Sequence, residues 1–286
     1  MAAQKNTTAA PRVSIILPAY NRAALLRRAI ESIRSQSFSD WELIAINDAS
    51  TDNTREVLDK FAAEDHRIHP IHHDKNYYPD ISRTLNEGLA AARGEFIARL
   101  DDDDYWCDDE KLARQVKFFE SHPGYVVVGG GTIVVDEHDR ERFRYKKLER
   151  DEEVRDKALF ANPFTHSTVM FRREPALAAG GYGDFKNAED WDLWLAMGAR
   201  GKFYNFPDYF VHYLMAETSK SFIFKRSQSK EILKIISRHR REYPHFAAAY
   251  ALNSLQYVYS FLPYQLRKFL HGAMSRMKRA MFAPSQ

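Results

Sequence analysis

Four short apolar runs recur through the first hundred residues: VSIILPAY (13–20), WELIAIND (41–48), RIHPI (67–71) and EFIARL (95–100). Between them lie segments whose apolar residues fall at helical spacing. Leu25, Leu26, Ala29, Ile30 and Ile33 mark the first, with Asn21 as its cap. Val57, Leu58 and Phe61 mark the second, capped by Ser50 or Thr51, and ISRTLNEGLAAA (81–92) is the third. A run that is apolar at consecutive positions is the pattern of a strand buried on both faces. Strand and helix alternating through short connections predict an α/β fold with a doubly wound, mostly parallel sheet and right-handed crossovers. Ligands of such sheets bind beyond the carboxyl ends of the strands. Three polar clusters fall at those ends, Pro18-Ala19-Tyr20-Asn21, Asn47-Asp48 and Asp101 to Asp104, and the sequence predicts that they share one crevice.

The second half is less regular. YVVVGGGTIVV (125–135) reads as a strand, a glycine break and a strand, HSTVMF (166–171) as a strand, and AEDWDLWLAMGA (188–199) as an apolar helix opened by acids. With 44% hydrophobic and 28% charged residues the chain is an ordinary globular protein, not a disordered one. No apolar stretch approaches the roughly 20 residues that cross a bilayer, and the leader MAAQKNTTAAPR lacks the apolar core of a signal peptide. A single cysteine, Cys107, excludes an internal disulfide and suits a reducing compartment, so the expected location is cytoplasmic. Charge is uneven: residues 230–286 carry ten Lys+Arg against two Glu, whereas the preceding residues carry 32 against 37 acids. A basic tail on a mildly acidic body points to an anionic surface as its partner.

The run ARLDDDDYW (98–106) places four carboxylates side by side after a buried strand. Adjacent like charges leave at least one carboxylate hard to ionise unless a cation offsets them. A divalent metal is one such cation; an acidic surface turn screened by water and salt is the bland alternative.

PAYNR (18–22), INDASTDNT (46–54), LNEGLAAARGEFIARLDDDD (85–104), NPFTHSTVMFRRE (162–174) and GGY…AEDWDLWL (180–195) together resemble the family-2 glycosyltransferases of GT-A type fold. The resemblance is strongest to the bacterial branch that builds surface polysaccharide and lipopolysaccharide, and it spans about residues 12 to 222, in order and at the usual spacings. It implies an inverting transfer of a sugar from a nucleotide diphosphate donor, UDP being the usual base, to an acceptor hydroxyl of a surface glycan or lipid-linked saccharide. It also implies a GT-A domain (12–225, divided into a nucleotide-binding half 12–104 and an acceptor half 105–225); the residues themselves predict a disordered leader (1–11) and a basic, amphipathic helical extension (226–286), which the resemblance does not explain.

By that resemblance Asp103 is the main ligand of Mn2+ or Mg2+, Asp101 faces the ribose or the metal water shell, and Asp104 supports both. Hard oxygen ligands suit those metals. Asp102 stands where the family has a small residue; in an extended stretch it points away from Asp101 and Asp103, which reads as a solvated side chain. Asp48 matches the aspartate that bonds the base, with a cap or turn role as its alternative. Pro18, Ala19, Tyr20 and Arg22 open toward the nucleotide, Tyr20 packing on the base or in the core. Asp190 matches the general base and Glu189 its neighbour in the acceptor site; an acidic pair favoured by the helix dipole is the plainer reading. His166, Trp191 and Lys220 are candidate donor or acceptor contacts, and Leu214 stands where relatives carry an arginine, a charge that Lys220 or Arg226 would have to supply.

His66, His69, His72 and His73 match no zinc spacing. From Gln265 onward, Leu266, Phe269, Leu270, Ala273, Met274, Met277 and Met281 form one helical face, and Arg267, Lys268, Lys278 and Arg279 the other. That pattern suits a helix lying on an anionic membrane, or a hairpin packed on the domain or on a second protomer. No nucleic-acid-binding module accompanies the charge. Two functions compete with glycosyl transfer: a sugar nucleotidyltransferase, for which PAYNR lacks the Gly-rich, Arg-containing triphosphate loop, and a non-catalytic nucleotide-sugar-binding scaffold.

Overall fold

β1 (Val13–Ala19), β2 (Trp41–Asn47), β3 (Ile68–His72) and β4 (Phe96–Arg99) are the four runs, joined by α1 (Ala23–Arg34), α2 (Thr54–Glu64) and α3 (Ile81–Ala91). In the computed structural model, which describes residues 10–215 and 225–262, they pair in parallel in the order β3-β2-β1-β4. Alternation along each strand explains the two-sided burial. Ile15, Leu17, Leu43, Ala45, Phe96 and Ala98 face a core built with α1 and α2. Ile16, Ile44, Ile46 and Ile97 face a second core with α3.

The rest of the sheet comes from β5 (Tyr105–Trp106), β6 (Tyr125–Val135), β7 (Glu141–Tyr145), β8 (Met170–Arg172) and β9 (Lys202–Leu214). β8 runs antiparallel between β4 and β6, β9 lies parallel to β6, and β5 and β7 pair antiparallel with β9 and β6. The helices here are α4 (Lys111–Ser121), α5 (Asp151–Lys157), α6 (Arg173–Ala178), α7 (Glu189–Gly198), α8 (Lys225–Arg238) and α9 (Phe246–Tyr259). The end of α8 and the turn after it pack on α7, and α9 packs on α8: Tyr243 Oη donates to the Leu195 carbonyl at 2.8 Å, and Asp192 accepts from Arg238 at 3.0 Å and pairs with His239 at 2.8 Å.

Several local expectations change. Gly129–Gly131 do not break the strand; β6 runs through them because Phe164, Phe210 and Tyr209 lie where their side chains would be. HSTVMF begins as a 3-10 turn, His166–Thr168, and only then enters β8. Asn21 does not cap α1; it adopts φ 54° and its Oδ1 accepts from the Thr51 backbone N–H at 2.8 Å, tying two loops together. Neither Ser50 nor Thr51 caps α2, whose first residue, Thr54, bonds Asp52 through its N–H at 3.0 Å. The leader before residue 10, Lys220 and the face from Leu266 to Met281 lie outside the described residues, as does the side chain of Arg226. Among the described residues no helix is long and apolar enough to cross a membrane.

α3 approaches the sheet through Gly88, where a Cβ would lie 2.7 Å from Ile16 Cγ2 and 3.1 Å from Ile46 Cδ1. Alanine gains about 1 kcal/mol in helix propensity but incurs about 1–3 kcal/mol of overpacking against strands that cannot retreat. Gly88→Ala is expected to lower the urea midpoint with the slope unchanged; a midpoint that holds or rises would show that α3 has room to move.

Candidate active site

The carboxyl ends of β1, β2 and β4 meet, as the alternating pattern requires. The Asp48 N–H donates to the Ala19 carbonyl at 2.9 Å, which closes β2 against β1. The Asp48 side chain is buried and held in place. It pairs with His73 Nδ1 at 2.8 Å and accepts from the Tyr77 N–H at 3.1 Å, while its carbonyl accepts from Asn76 Nδ2 at 2.8 Å. His73 Nε2 pairs in turn with Glu87 on α3, also at 2.8 Å. His73 is therefore a link between two carboxylates, a role that weighing the histidines only as metal ligands misses. His72 pairs with Asp59 at 2.9 Å.

The four aspartates after β4 have four different environments. Arg99 is 1% exposed, and its guanidinium donates to the Ile16 carbonyl at 3.0 Å, to the Leu100 carbonyl and to Asp101 Oδ1 at 2.7 Å. Burial alone would raise the Asp101 pKa, but Arg99, His166 and the Ser167 hydroxyl together outweigh it and hold the carboxyl below its ordinary value. Asp102 is not solvated, contrary to expectation: its side chain is 17% exposed, it accepts from the Tyr20 N–H at 2.9 Å, and Arg22 Nε lies 4.0 Å away. The turn curls Asp102 back onto the end of β1, so the up-and-down alternation of an extended stretch does not apply. Burial, then the charge of Asp103, pushes its pKa up to about 7. Asp104 is buried, accepting from Ser167 Oγ at 2.5 Å and from the Leu214 N–H at 3.2 Å, and burial and the charges of Asp101 and Asp103 raise its pKa well above the usual range.

Two members thus remain about a third exposed in the crevice, Asp101 at 35% and Asp103 at 32%. Among the described residues no three acid, histidine or cysteine side chains form a ready-made metal cage. Two partly exposed carboxylates nevertheless suit a hard divalent cation that takes its remaining ligands from water and substrate phosphate. Arg22 Nε, 3.9 Å from Asp103, is the nearby cation, whereas Leu214 contributes only its backbone N–H. Tyr20 is 40% exposed, which removes the core-packing alternative. Pro18 and Ala19 are buried within β1 and do not line the crevice; they shape the strand end that holds Tyr20.

α7 supplies the opposite acids. Asp190 accepts from Asn162 Nδ2 at 2.7 Å and from the Trp191 N–H at 2.8 Å. Burial raises its pKa, and these two donors oppose the rise. Glu189 is 8% exposed and its Oε2 has no hydrogen-bond partner among the described residues; burial, then the charge of Asp190, pushes its pKa to about 8. The charge of Asp101 acts on both acids, so α7 and the end of β4 belong to one electrostatic site. His166 lies between them, 3.2 Å from Tyr182 Oη, and is held neutral, its pKa lowered to about 3 by burial and then by the charge of Arg99. Trp191 is buried and gives its indole N–H to the Ala158 carbonyl at 2.8 Å. Asn162, Ser167 and Arg99 went unnoticed as site residues. Only Arg99, a charge inside an apolar strand, carries a signal in the sequence.

Glu189 has a folded pKa of about 8 against an ordinary 4.5, so its protonated form favours the fold. That advantage is complete below about 4.5 and is lost as pH rises through about 8. Glu189→Gln cannot lose a proton. The stability of the native chain relative to Glu189→Gln is expected to fall by up to about 1 kcal/mol per pH unit across that window, then level off in denaturant titrations. A pH-independent difference would mean that Glu189 is ionised in the fold.

Residues 14–178, more than half of the chain, match the family model described as "Glycosyl transferase family 2". EpsE of Bacillus subtilis, named as a glycosyltransferase, is 36% identical over 219 residues, covering 74% of this chain and 75% of that protein. The amylovoran biosynthesis glycosyltransferase AmsE of Erwinia amylovora is 29% identical, covering 68% and 73%. The GalNAc(5)-diNAcBac-PP-undecaprenol beta-1,3-glucosyltransferase of Campylobacter jejuni is 30% identical, covering 68% and 62%. Among solved structures, S. aureus TarS 1-349 in complex with UDP-GlcNAc superposes with a TM-score of 0.67 at 17% identity, covering 87% of this chain and 73% of that one. The mannosyltransferase PcManGT of Pyrobaculum calidifontis, in complex with GDP-Man and Mn2+, does so with 0.63 at 17% identity, covering 96% and 85%. These structures share the GT-A fold, and the chain belongs to glycosyltransferase family 2.

Proposed function

We propose that the chain is a metal-dependent, inverting glycosyltransferase that takes a sugar from a UDP-sugar and places it on an acceptor hydroxyl of a surface glycan or lipid-linked saccharide. The observation that carries this is the placing of two partly exposed carboxylates, Asp101 and Asp103, at the end of β4 in one electrostatic site with the carboxylate of Asp190 on α7. The UDP-GlcNAc complex of TarS supports the donor, the Mn2+ complex of PcManGT supports the metal, and the undecaprenol in the Campylobacter relative's name supports a lipid-linked acceptor.

In this reading Tyr20 packs on the base and Asp48, held by His73 and the Tyr77 N–H, bonds it. Asp103 and Asp101 hold Mn2+ or Mg2+, which when bound neutralises charge on the departing diphosphate. The acceptor oxygen attacks the anomeric carbon from the face opposite the diphosphate. The bond to the diphosphate oxygen breaks, and Asp190 takes the hydroxyl proton. Burial, which raises its pKa, makes it a stronger base than an exposed aspartate. Glu189, kept protonated by burial, has an O–H to donate to a bound acceptor oxygen. Arg22 supplies the cation beside the diphosphate. The domain division at about residues 104 and 225 follows the same reading.

α9 supports attachment at the inner face of the cytoplasmic membrane. Residues 246–262 carry no charge, and Tyr250, Leu255, Val258 and Phe261 are exposed along them. The following sequence holds Arg267, Lys268, Arg276, Lys278 and Arg279 and no acid. An apolar face beside basic residues suits an anionic lipid interface.

Calorimetric titration of UDP in the presence of manganese is expected to show binding that weakens more than about tenfold on Asp103→Ala or on removal of the metal. UDP-sugar turnover is expected to fall by about 10²–10⁴ on Asp190→Asn with UDP affinity retained. Binding of another nucleotide would change the donor, whereas turnover indifferent to Asp190 would favour the scaffold. The chain should also co-sediment with anionic vesicles and lose that on Leu255→Glu with Val258→Glu. Self-association without vesicle binding would assign the face to a second protomer instead.

A further inference from the structure

The segment between α5 and the 3-10 turn brings Asn162 to α7. Asn162 Nδ2 donates to Asp190 Oδ2 at 2.7 Å, and its Oδ1 accepts from the Phe164 N–H at 3.1 Å. Together these contacts decide the orientation of the amide, since only a nitrogen can serve the carboxylate and only an oxygen the N–H. The Trp191 N–H donates to the other oxygen, Oδ1, at 2.8 Å. Each Asp190 oxygen therefore receives one donor and keeps one lone pair.

The Asn162 segment is itself fixed from two sides. Lys147 Nζ donates to the Asn162 carbonyl at 3.1 Å. Asn205, buried on β9, gives its amide to the Pro163 carbonyl at 3.2 Å and to the Leu148 carbonyl at 2.8 Å. Phe164, next along, is buried against Trp194 and Phe203, with ring centroids 6.1 and 5.4 Å away. An amide placed by the core and by β9 can hold a side chain on α7 in one orientation.

We propose that Asn162 is the positioning residue for Asp190, its amide fixing the carboxylate so that a remaining lone pair meets the acceptor hydroxyl. This rests on the reading of Asp190 as the base. The groups facing Asp190 are Glu189 on its own helix, Tyr182 in the preceding loop, Asp101 after β4, and Lys147 after β7. Burial and Asp101 favour the protonated carboxyl; Asn162, the Trp191 N–H and Lys147 favour the ionised one. Removing the amide thus moves the proton onto Asp190 at higher pH, and a rate that needs the ionised base is lost from its acidic side.

The test is a carbon-13 carboxyl titration of the full chain labelled at aspartate, with the Asp190 signal assigned through Asp190→Asn. In Asn162→Ala the Asp190 midpoint is expected to rise by roughly one pH unit, a tenfold change in its protonation equilibrium, because a hydrogen bond to a charged group is worth about that much. The isosteric Asn162→Asp, which replaces a donor by a like charge, is expected to raise it further and reads the same contact if the alanine variant fails to fold. A midpoint that stays put in either folded variant would overturn the positioning role. Turnover of Asp190→Asn judges the base separately: if that variant stays active the base reading falls, and if it is inactive while the titration is unmoved only Asn162 falls.

Discussion

The guanidinium of Arg99 lies inside the sheet, and the crevice is organised around it. It ties β4 to β1 through the Ile16 carbonyl, turns the chain through the Leu100 carbonyl and pairs with Asp101. A buried cation is costly without its partner: removing Asp101 would leave the guanidinium uncompensated and cost about 3–5 kcal/mol. The same charge is among the causes that hold the Asp101 carboxyl below its ordinary range, and it adds to the burial that keeps His166 neutral. One residue thereby ties the acidic run to β1 and biases the carboxyl and the histidine beside it.

From that anchor the carboxylates divide by environment. Asp104, under Ser167 and the Leu214 N–H, holds the end of β9, and Asp102, on the Tyr20 N–H, holds the end of β1. Two aspartates are thus spent on joining strands, and the remaining pair faces the crevice. On α7 the allocation repeats: Asp192 anchors α8, Glu189 is buried with its Oε2 unpaired among the described residues, and Asp190 receives two donors. Neighbouring acids with different surroundings are how one site keeps some carboxyls neutral and others charged at the same pH.

Much of this was legible in the sequence, and the reason differs by residue. Three of the four strands showed because burial on both faces favours consecutive apolar residues, as in Ile15-Ile16-Leu17 and Leu43 to Ile46, whereas β3 is fully buried only at Ile68. The positions of Asp48, Asp101 and Asp103 showed because they follow such strands directly. Gly129–Gly131 misled because glycine weakens a strand in isolation, whereas here it admits the rings of Phe210 and Tyr209. Asn162 and Ser167 gave no signal, since an asparagine or a serine in a loop looks the same whether it meets solvent or a carboxylate 28 or 63 residues away.

Local chemistry therefore determined the order and type of the first elements, the family and the acids that cluster at the strand ends, because periodicity and short motifs are properties of neighbouring residues. Tertiary structure alone decided which of those acids stays open, which is neutral and which is held. Burial, the distance to Arg99 and donors such as Asn162 and the Leu214 N–H come from segments far apart in the chain, and a carboxyl's charge depends on all of them at once.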